Sequence, residues 1–423
     1  MNIRARAARI LVSVLSHQQH LSEVFQATDD ALTKAICFGV CREYYHLDAI
    51  YHQLIDKPLA KKYFDIYALI LIGIYQLETM QTPNHAAVAE TVDAAIHLKK
   101  PWAKKLINAL LRKYLRSDFR SHTHNSHYHE KHEEPVYNHP QWFIDKLKTH
   151  YPNHWQAILL ANQQHPPMTL RVNLNQYTPE DYIHLLAKKN MIATKHPIVD
   201  TAISLQQAVS ITDLPGFDIG AVSVQDASAQ LAATLLDLQP NANVLDACAA
   251  PGGKTGHLLE ACSDIRLTAI DCSESRLKKV KANLDRLNYQ ATLMCADASD
   301  TASWWNGELF DRILLDTPCS ATGIIRRQPD IKLHRKADDI AQINTIQINL
   351  LNQLWPLLKP GGQLLYVTCS ILPEENQAII QQLTHPYHIN QINSDWGIAD
   401  TLGKQILPTE NNMDGFYYAL LQK

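Results

Sequence analysis

The stretch NVLDACAAPGGKTG, Asn243–Gly256, decides how this chain is read. An apolar run of strand length gives way to a turn of small residues, and then to a helix beginning near Lys254. Gly252 and Gly253 let the backbone approach a ligand closely, and the free N–H groups of the helix N-terminus suit a carboxylate or a phosphate. The turn is neither the GxxxxGK(S/T) of a P-loop nor the GxGxxG of a dinucleotide fold. It marks a place for a ligand without naming one.

Outward from this stretch, strand-like runs recur as LTAIDCS, TLMCADA, FDRILLDTPCS and GGQLLYVTCS, with helical segments such as KTGHLLEAC and SESRLKKVKANLDRLN between them. This alternation predicts an α/β, Rossmann-like domain over residues 223–423, with a mostly parallel sheet and helices on both faces. Ligands of such sheets lie beyond the C-terminal ends of the strands. Acids stand at those ends. Asp271 falls 25 residues after Asp246, where a carboxylate takes the two hydroxyls of a ribose, and Asp297 is placed to meet an adenine amino group. One such acid alone reads equally well as a helix cap. Several of them beside a Gly-rich turn point to a nucleoside cofactor, with NAD and S-adenosylmethionine both open.

Eight cysteines occur, at 37, 41, 248, 262, 272, 295, 319 and 369, and no C-x-x-C pair is among them. The pattern suggests no zinc ribbon or thioredoxin-type site, and no metal is assigned. Free cysteine is most often a buried core thiol. Cys319 in DTPCS and Cys369 in YVTCS are different in place: both end strands on the ligand side, and both precede a serine.

The remainder is organised by periodicity. Residues 1–120 read as an all-α domain, with Val88, Val92 and Ile96 spaced by four, and Leu106, Leu110 and Tyr114 likewise. Residues 121–138 form a polar linker, and the stretch Ser117–Pro140 that contains it carries His122, His124, His127, His129, His132 and His139. Residues 139–222 suggest a small α+β, RRM-like domain, with a strand at MTLRVN and a helix that Thr178 caps. Net charge is -3, yet residues 1–116 carry +5 and the rest -8. No whole-molecule field marks a nucleic-acid binder, while the N-terminal third is compatible with RNA. The longest apolar run, from Ile66, is about half of the ~20 residues a membrane span needs. The N-terminus lacks the features of a secretory signal, so a cytoplasmic protein is expected. Beyond the second cysteine motif lies IIRRQPDIKLHRK. Its Arg326, Arg327, Lys332, Arg335 and Lys336, with Arg171 from the middle domain, are candidate RNA phosphate contacts.

DACAAPGGKT, LLDTPCSATG and VTCSILPEEN together resemble the RNA 5-cytosine methyltransferases of the Nop2/Sun/Fmu family, most strongly over 223–423. The helical N-terminus, with FGVCRE, HAAVAETVDAAI and LINALLRKYLR, resembles NusB. The resemblance implies S-adenosylmethionine as cofactor, held by Cys248, Ala249, Ala250, Pro251, Gly252, Gly253 and Lys254 with Asp271, Asp297 and Asp316. It implies small-subunit (16S) ribosomal RNA as partner, with a tRNA or large-subunit target as the alternative, and a monomer with no obligate protein partner. It makes Cys369 the nucleophile toward carbon 6 of cytosine, Cys319 the base that assists release, and Asp316 the group that holds N3 and the exocyclic amine. A protonated Asp316 would also offset charge at N3. The family commonly has Ala where this chain has Thr317, a change expected to alter packing and not mechanism.

Overall fold

Apolar residues on three- and four-residue spacing build the N-terminal helices Ile3–His17, Ala31–Arg42, Tyr44–Leu54, Phe64–Glu78, Asn84–His97 and Ala103–Arg116. Their starts are capped locally: Asn2 accepts from the Ala5 N–H and Asp30 from the Thr33 N–H. The apolar run from Ile66 lies in Phe64–Glu78, which is buried on every face from Ile66 to Leu77 and forms the centre of the bundle. Among the described residues no helix is long and apolar enough to cross a membrane. The computed structural model describes residues 2–80, 82–117 and 132–423. His122, His124, His127 and His129 of the linker therefore lie outside the described residues. His139 is fully buried, with Nδ1 on the Tyr137 carbonyl at 2.5 Å and Nε2 facing the Asn162 amide at 3.3 Å.

The chain divides into two compact units, Met1–His165 with Ile325–Ala337, and Pro166–Ile324 with Asp338–Lys423. The basic run thus belongs to the unit of the N-terminal helices.

The second unit holds two sheets. Strands β1 (Met168–Val172), β2 (Ala193–Lys195), β3 (Ala202–Leu205) and β4 (Val222–Val224) form a small antiparallel sheet in the order β2-β3-β1-β4. Beside it, helix Pro179–Ala187 is capped by Thr178, whose hydroxyl accepts from the Asp181 N–H. The larger sheet is made of β5 (Asn243–Ala247), β6 (Arg266–Asp271), β7 (Thr292–Cys295), β8 (Phe310–Asp316), β9 (Leu358–Thr368), β10 (His388–Asn390), β11 (Ile398–Ala399), β12 (Lys404–Ile406) and β13 (Phe416–Gln422). Its order is β11-β12-β13-β9-β8-β5-β6-β7, with β10 on β13. From β9 to β7 all pairs are parallel, while β13 runs antiparallel to β9. Strand order reverses at β5, between β8 and β6. That reversal opens a crevice at the C-terminal ends of β5 and β8, the usual seat of a ligand in a doubly wound sheet.

Candidate active site

A cavity of about 740 Å³ fills this crevice, lined among others by Cys248, Asp271, Asp297, Asp316, Cys319 and Cys369. Its size lies within the ~300–1,000 Å³ typical of small-molecule sites. The turn after β5 forms one wall. Gly252 sits at φ +95°, and a Cβ there would stand 2.9 Å from the Val280 Cα. Its glycine is therefore demanded by the packing of the neighbouring helix Glu274–Leu287 as well as by backbone conformation. Gly253 begins helix Gly253–Ala261, and a Cβ there would meet only the Gln225 amide at 3.7 Å.

Asp271 is buried at the end of β6, with Oδ2 accepting from the Ala250 N–H at 3.2 Å and Oδ1 from the Ser273 N–H at 3.0 Å. Each oxygen retains acceptor capacity toward the cavity. Asp297 is exposed, and its Oδ1 takes the Ser299 N–H and hydroxyl at 2.9 and 2.8 Å. Asp246 lies deeper, fully buried behind the turn. Thr255 donates to its Oδ2 at 2.6 Å, and burial pushes its carboxyl up to about 7.

The reactive end lies where β8 and β9 terminate side by side. The sulfur atoms of Cys319 and Cys369 are 3.4 Å apart. The hydrogen bond to Cys369, and then burial, hold the Cys319 thiol well above its ordinary pKa. Lys254 Nζ reaches Asp316 Oδ2 at 2.8 Å and lies 5.0 Å over the Phe416 ring. Burial pulls Lys254 down, but Asp316 outweighs it, and the net shift is upward. Lys254 thus stays charged beside Asp316. The Thr317 hydroxyl is buried against the cavity without a hydrogen-bond partner, which makes the Ala-to-Thr departure a polar change at the site and not one of packing alone.

Sequence reasoning overlooked the group that aligns the two thiols. Glu375, fully buried, accepts the Ser320 N–H at 2.6 Å, the Ser320 hydroxyl, and the Ser370 hydroxyl at 2.6 Å. Gly323 N–H donates to the Cys369 carbonyl at 2.8 Å. The serine after each cysteine is thus a strut. The repeated Cys-Ser step was the available signal, joined to the acidic pair in LPEEN.

Three candidate RNA contacts are withdrawn. The Arg171 side chain is fully buried. It grips both oxygens of Glu260 at 2.8 and 2.7 Å and donates to the Gly253 carbonyl at 2.8 Å, so it braces the turn from within. Arg326 is 2% exposed. Lys332 is equally buried, donates to the Arg42 carbonyl at 2.5 Å, and is driven down to about 7 by burial and then by Arg42. None of these cations can reach a phosphate. Arg327 and Arg335 are half-buried and Lys336 is exposed.

A doubly wound sheet with a cofactor-sized crevice at its switch point, and paired thiols beside it at the ends of β8 and β9, has the architecture of a Rossmann-like methyltransferase. The family model described as 16S rRNA methyltransferase RsmB/F matches residues 233–422, its ferredoxin-like companion 139–212, and the NusB family 1–116. The probable ribosomal RNA small subunit methyltransferase B of Coxiella burnetii is 45% identical over the whole of both chains. The Vibrio cholerae ribosomal RNA small subunit methyltransferase B is also 45% identical, over 100% of this chain and 98% of its own. The chain belongs to the ribosomal RNA small subunit methyltransferase B family. Among solved structures, PH0851 superposes with a TM-score of 0.85 at 23% identity, over 100% of this chain and 99% of that one, a likeness of fold. A methyltransferase homolog from Pyrococcus horikoshii gives 0.61 at 28% identity over 69% of this chain and 97% of its own.

Proposed function

We propose that this protein methylates carbon 5 of a cytosine in small-subunit ribosomal RNA, with S-adenosylmethionine as cofactor and Cys369 as covalent nucleophile. The observation that carries the reading is the pair of sulfur atoms 3.4 Å apart beside the Lys254–Asp316 pair. Carbon 5 of cytosine is too weak a nucleophile to attack unaided. A Cys369 thiolate adding to carbon 6 forms an S–C6 bond and shifts the ring electrons so that carbon 5 becomes enamine-like. Asp316 accepts from the exocyclic amine, and the Lys254 ammonium offsets the negative charge that builds toward N3. S-adenosylmethionine, when bound, supplies an electrophilic methyl group to carbon 5. Its nucleoside fits the acceptors of Asp271 and Asp297, with its remaining part along the turn from Cys248 to Lys254. Cys319, once its own proton has passed to solvent, then takes the proton from carbon 5 as thiolate. The electrons of that C–H bond restore the C5–C6 double bond as the C6–S bond breaks and Cys369 leaves as thiolate.

The hydrogen bond to Cys369 and burial raise the Cys319 pKa, and a thiolate formed there is a strong base, as release requires. A flipped or single-stranded cytosine is the expected substrate, because a stacked base cannot present carbon 6 to a thiol at the cavity floor. Arg327, Arg335 and Lys336 are the retained candidates for phosphate contact, and a cytoplasmic monomer is the expected state. The test is bisulphite mapping of ribosomal RNA from cells lacking the gene. Loss of one 5-methylcytosine from small-subunit rRNA is expected, and an unchanged pattern there would overturn the proposal.

A further inference from the structure

Outside the cavity, His20, Asp330 and His334 form a second cluster: each offers one ligand atom, and these atoms lie within 4.8 Å of one another. All three belong to the helical unit, and the reaction above uses none of them. Asp330 is buried, with Oδ2 at 2.7 Å from His20 Nδ1 and 3.4 Å from the Leu21 N–H. The His334 Nε2 N–H donates to the Val14 carbonyl at 2.9 Å. A carbonyl can only accept, so this contact fixes the ring proton on Nε2 and leaves Nδ1 with a bare lone pair. That Nδ1 is buried and meets no hydrogen-bond partner. A buried acceptor left without a donor costs about 1–3 kcal/mol. A histidine whose second nitrogen is tied to a backbone carbonyl, and whose other nitrogen is left without a partner in a cluster with a carboxylate and another imidazole, has the arrangement of a metal ligand.

We propose that His20, Asp330 and His334 bind a divalent transition metal of the zinc class. Two imidazoles and one carboxylate are a donor set that zinc accepts. With bonds of about 2.0–2.2 Å, tetrahedral zinc sets its ligand atoms roughly 3.3–3.6 Å apart, so a separation near the 4.8 Å bound of the cluster closes by about an ångström. His20, whose side chain is 35% exposed, has the freedom to make that adjustment and opens the fourth position to solvent. The metal replaces the His20–Asp330 hydrogen bond. Its effect is to tie Asp330 and His334, which follow the thiol-bearing loop in the chain, to the end of the first helix.

The probe is Zn2+ added to full-length, chelator-stripped protein in competition with a chromophoric chelator. Side chains that could compete for zinc are removed first, by alanine at His122, His124, His127 and His129 and by Cys319→Ser with Cys369→Ser. This background is expected to bind one equivalent of Zn2+, and His20→Ala or His334→Ala to weaken it at least tenfold. A second readout needs no variant at the cluster: Zn2+ should slow amide exchange across residues 325–337. An ordinary histidine–aspartate pair would bind no equivalent in the background and leave exchange unchanged. Either result overturns the proposal, as does an equivalent that survives both histidine substitutions.

Discussion

Two neighbouring stretches, Leu314–Gly323 and Ile325–Lys336, meet opposite fates. The first is apolar with a single acid, and it delivers its chemistry to a cavity. The second is dense in cations, and its Arg326 and Lys332 are buried among the N-terminal helices. Position along a strand told more than charge did. A residue at the C-terminal end of a parallel strand is placed by the sheet, whereas a run of lysine and arginine is placed only by what packs against it. Arg42 donates to the Arg326 carbonyl at 3.0 Å, Tyr45 to the Lys332 carbonyl at 3.2 Å, and Lys332 to the Arg42 carbonyl. Such stitching turns a basic run into a structural clamp.

The largest expected effects concern the two thiols. Cys369→Ser should lower methylation by at least about 10³-fold, as loss of a covalent nucleophile does, and should leave no covalent RNA adduct on denaturing gels. Cys319→Ser should also arrest turnover, but with an adduct that forms and persists. Adducts accumulating in the Cys369 variant instead would exchange the two roles. Next in size is Glu375→Gln. It keeps the volume but turns an acceptor of several donors into an amide, and displacement of the thiols should cost about 10–100-fold in kcat with little change in KM. An unchanged kcat would show that the paired strand ends hold the sulfur atoms without it.

Much of the sheet could be read in advance because the central parts of β5, β8 and β9 are buried, so residues 244–245, 313–315 and 364–367 are unbroken apolar runs. The two cysteines were legible for the same reason, each standing where such a run stops. Glu375 was not, because an acid after proline in LPEEN has the composition of an exposed turn, and only the meeting of β8 with β9 buries it. Arg171 misled in the opposite sense: its partner Glu260 lies 89 residues away, on a helix behind the cofactor turn. His20 and Asp330 are 310 residues apart, beyond any spacing rule.

Burial moves one charge in each region toward the same pH. Asp246 rises to about 7 from an ordinary 3.8, and Lys332 falls to about 7 from an ordinary 10.5. Between pH 4 and 7 the unfolded chain gives up the Asp246 proton while the folded chain keeps it, so folded stability falls as pH rises through that window. For Lys332 the unfolded chain holds the extra proton from pH 7 to about 10, so stability rises across that range. Asp246→Asn should therefore gain on the parent as pH climbs from 4 to 7. Lys332→Met should show its greatest relative stability at or below pH 7 and lose that advantage above it. Thermal unfolding across pH 4–10 measures both, and pKa changes of roughly three correspond to about 4 kcal/mol over each window. Parallel curves for variant and parent would show that neither group titrates as its burial requires.

The smallest effect tests the contrast most directly. A cation that touches phosphate releases a counterion, so removing it flattens the dependence of log affinity on log salt by about 0.7–0.9 per phosphate no longer neutralised. Arg327→Ala should produce that change, with RNA binding weakened by about threefold at low salt and less at high salt. Lys332→Met removes a charge only five positions later, yet its ammonium faces the Arg42 carbonyl and not solvent. Its salt slope should match the parent's. Filter binding of a small-subunit rRNA fragment at several salt concentrations distinguishes the two. Equal losses in both variants would mean that the segment exposes Lys332 when it meets RNA, and that the clamp seen in the free protein opens on binding.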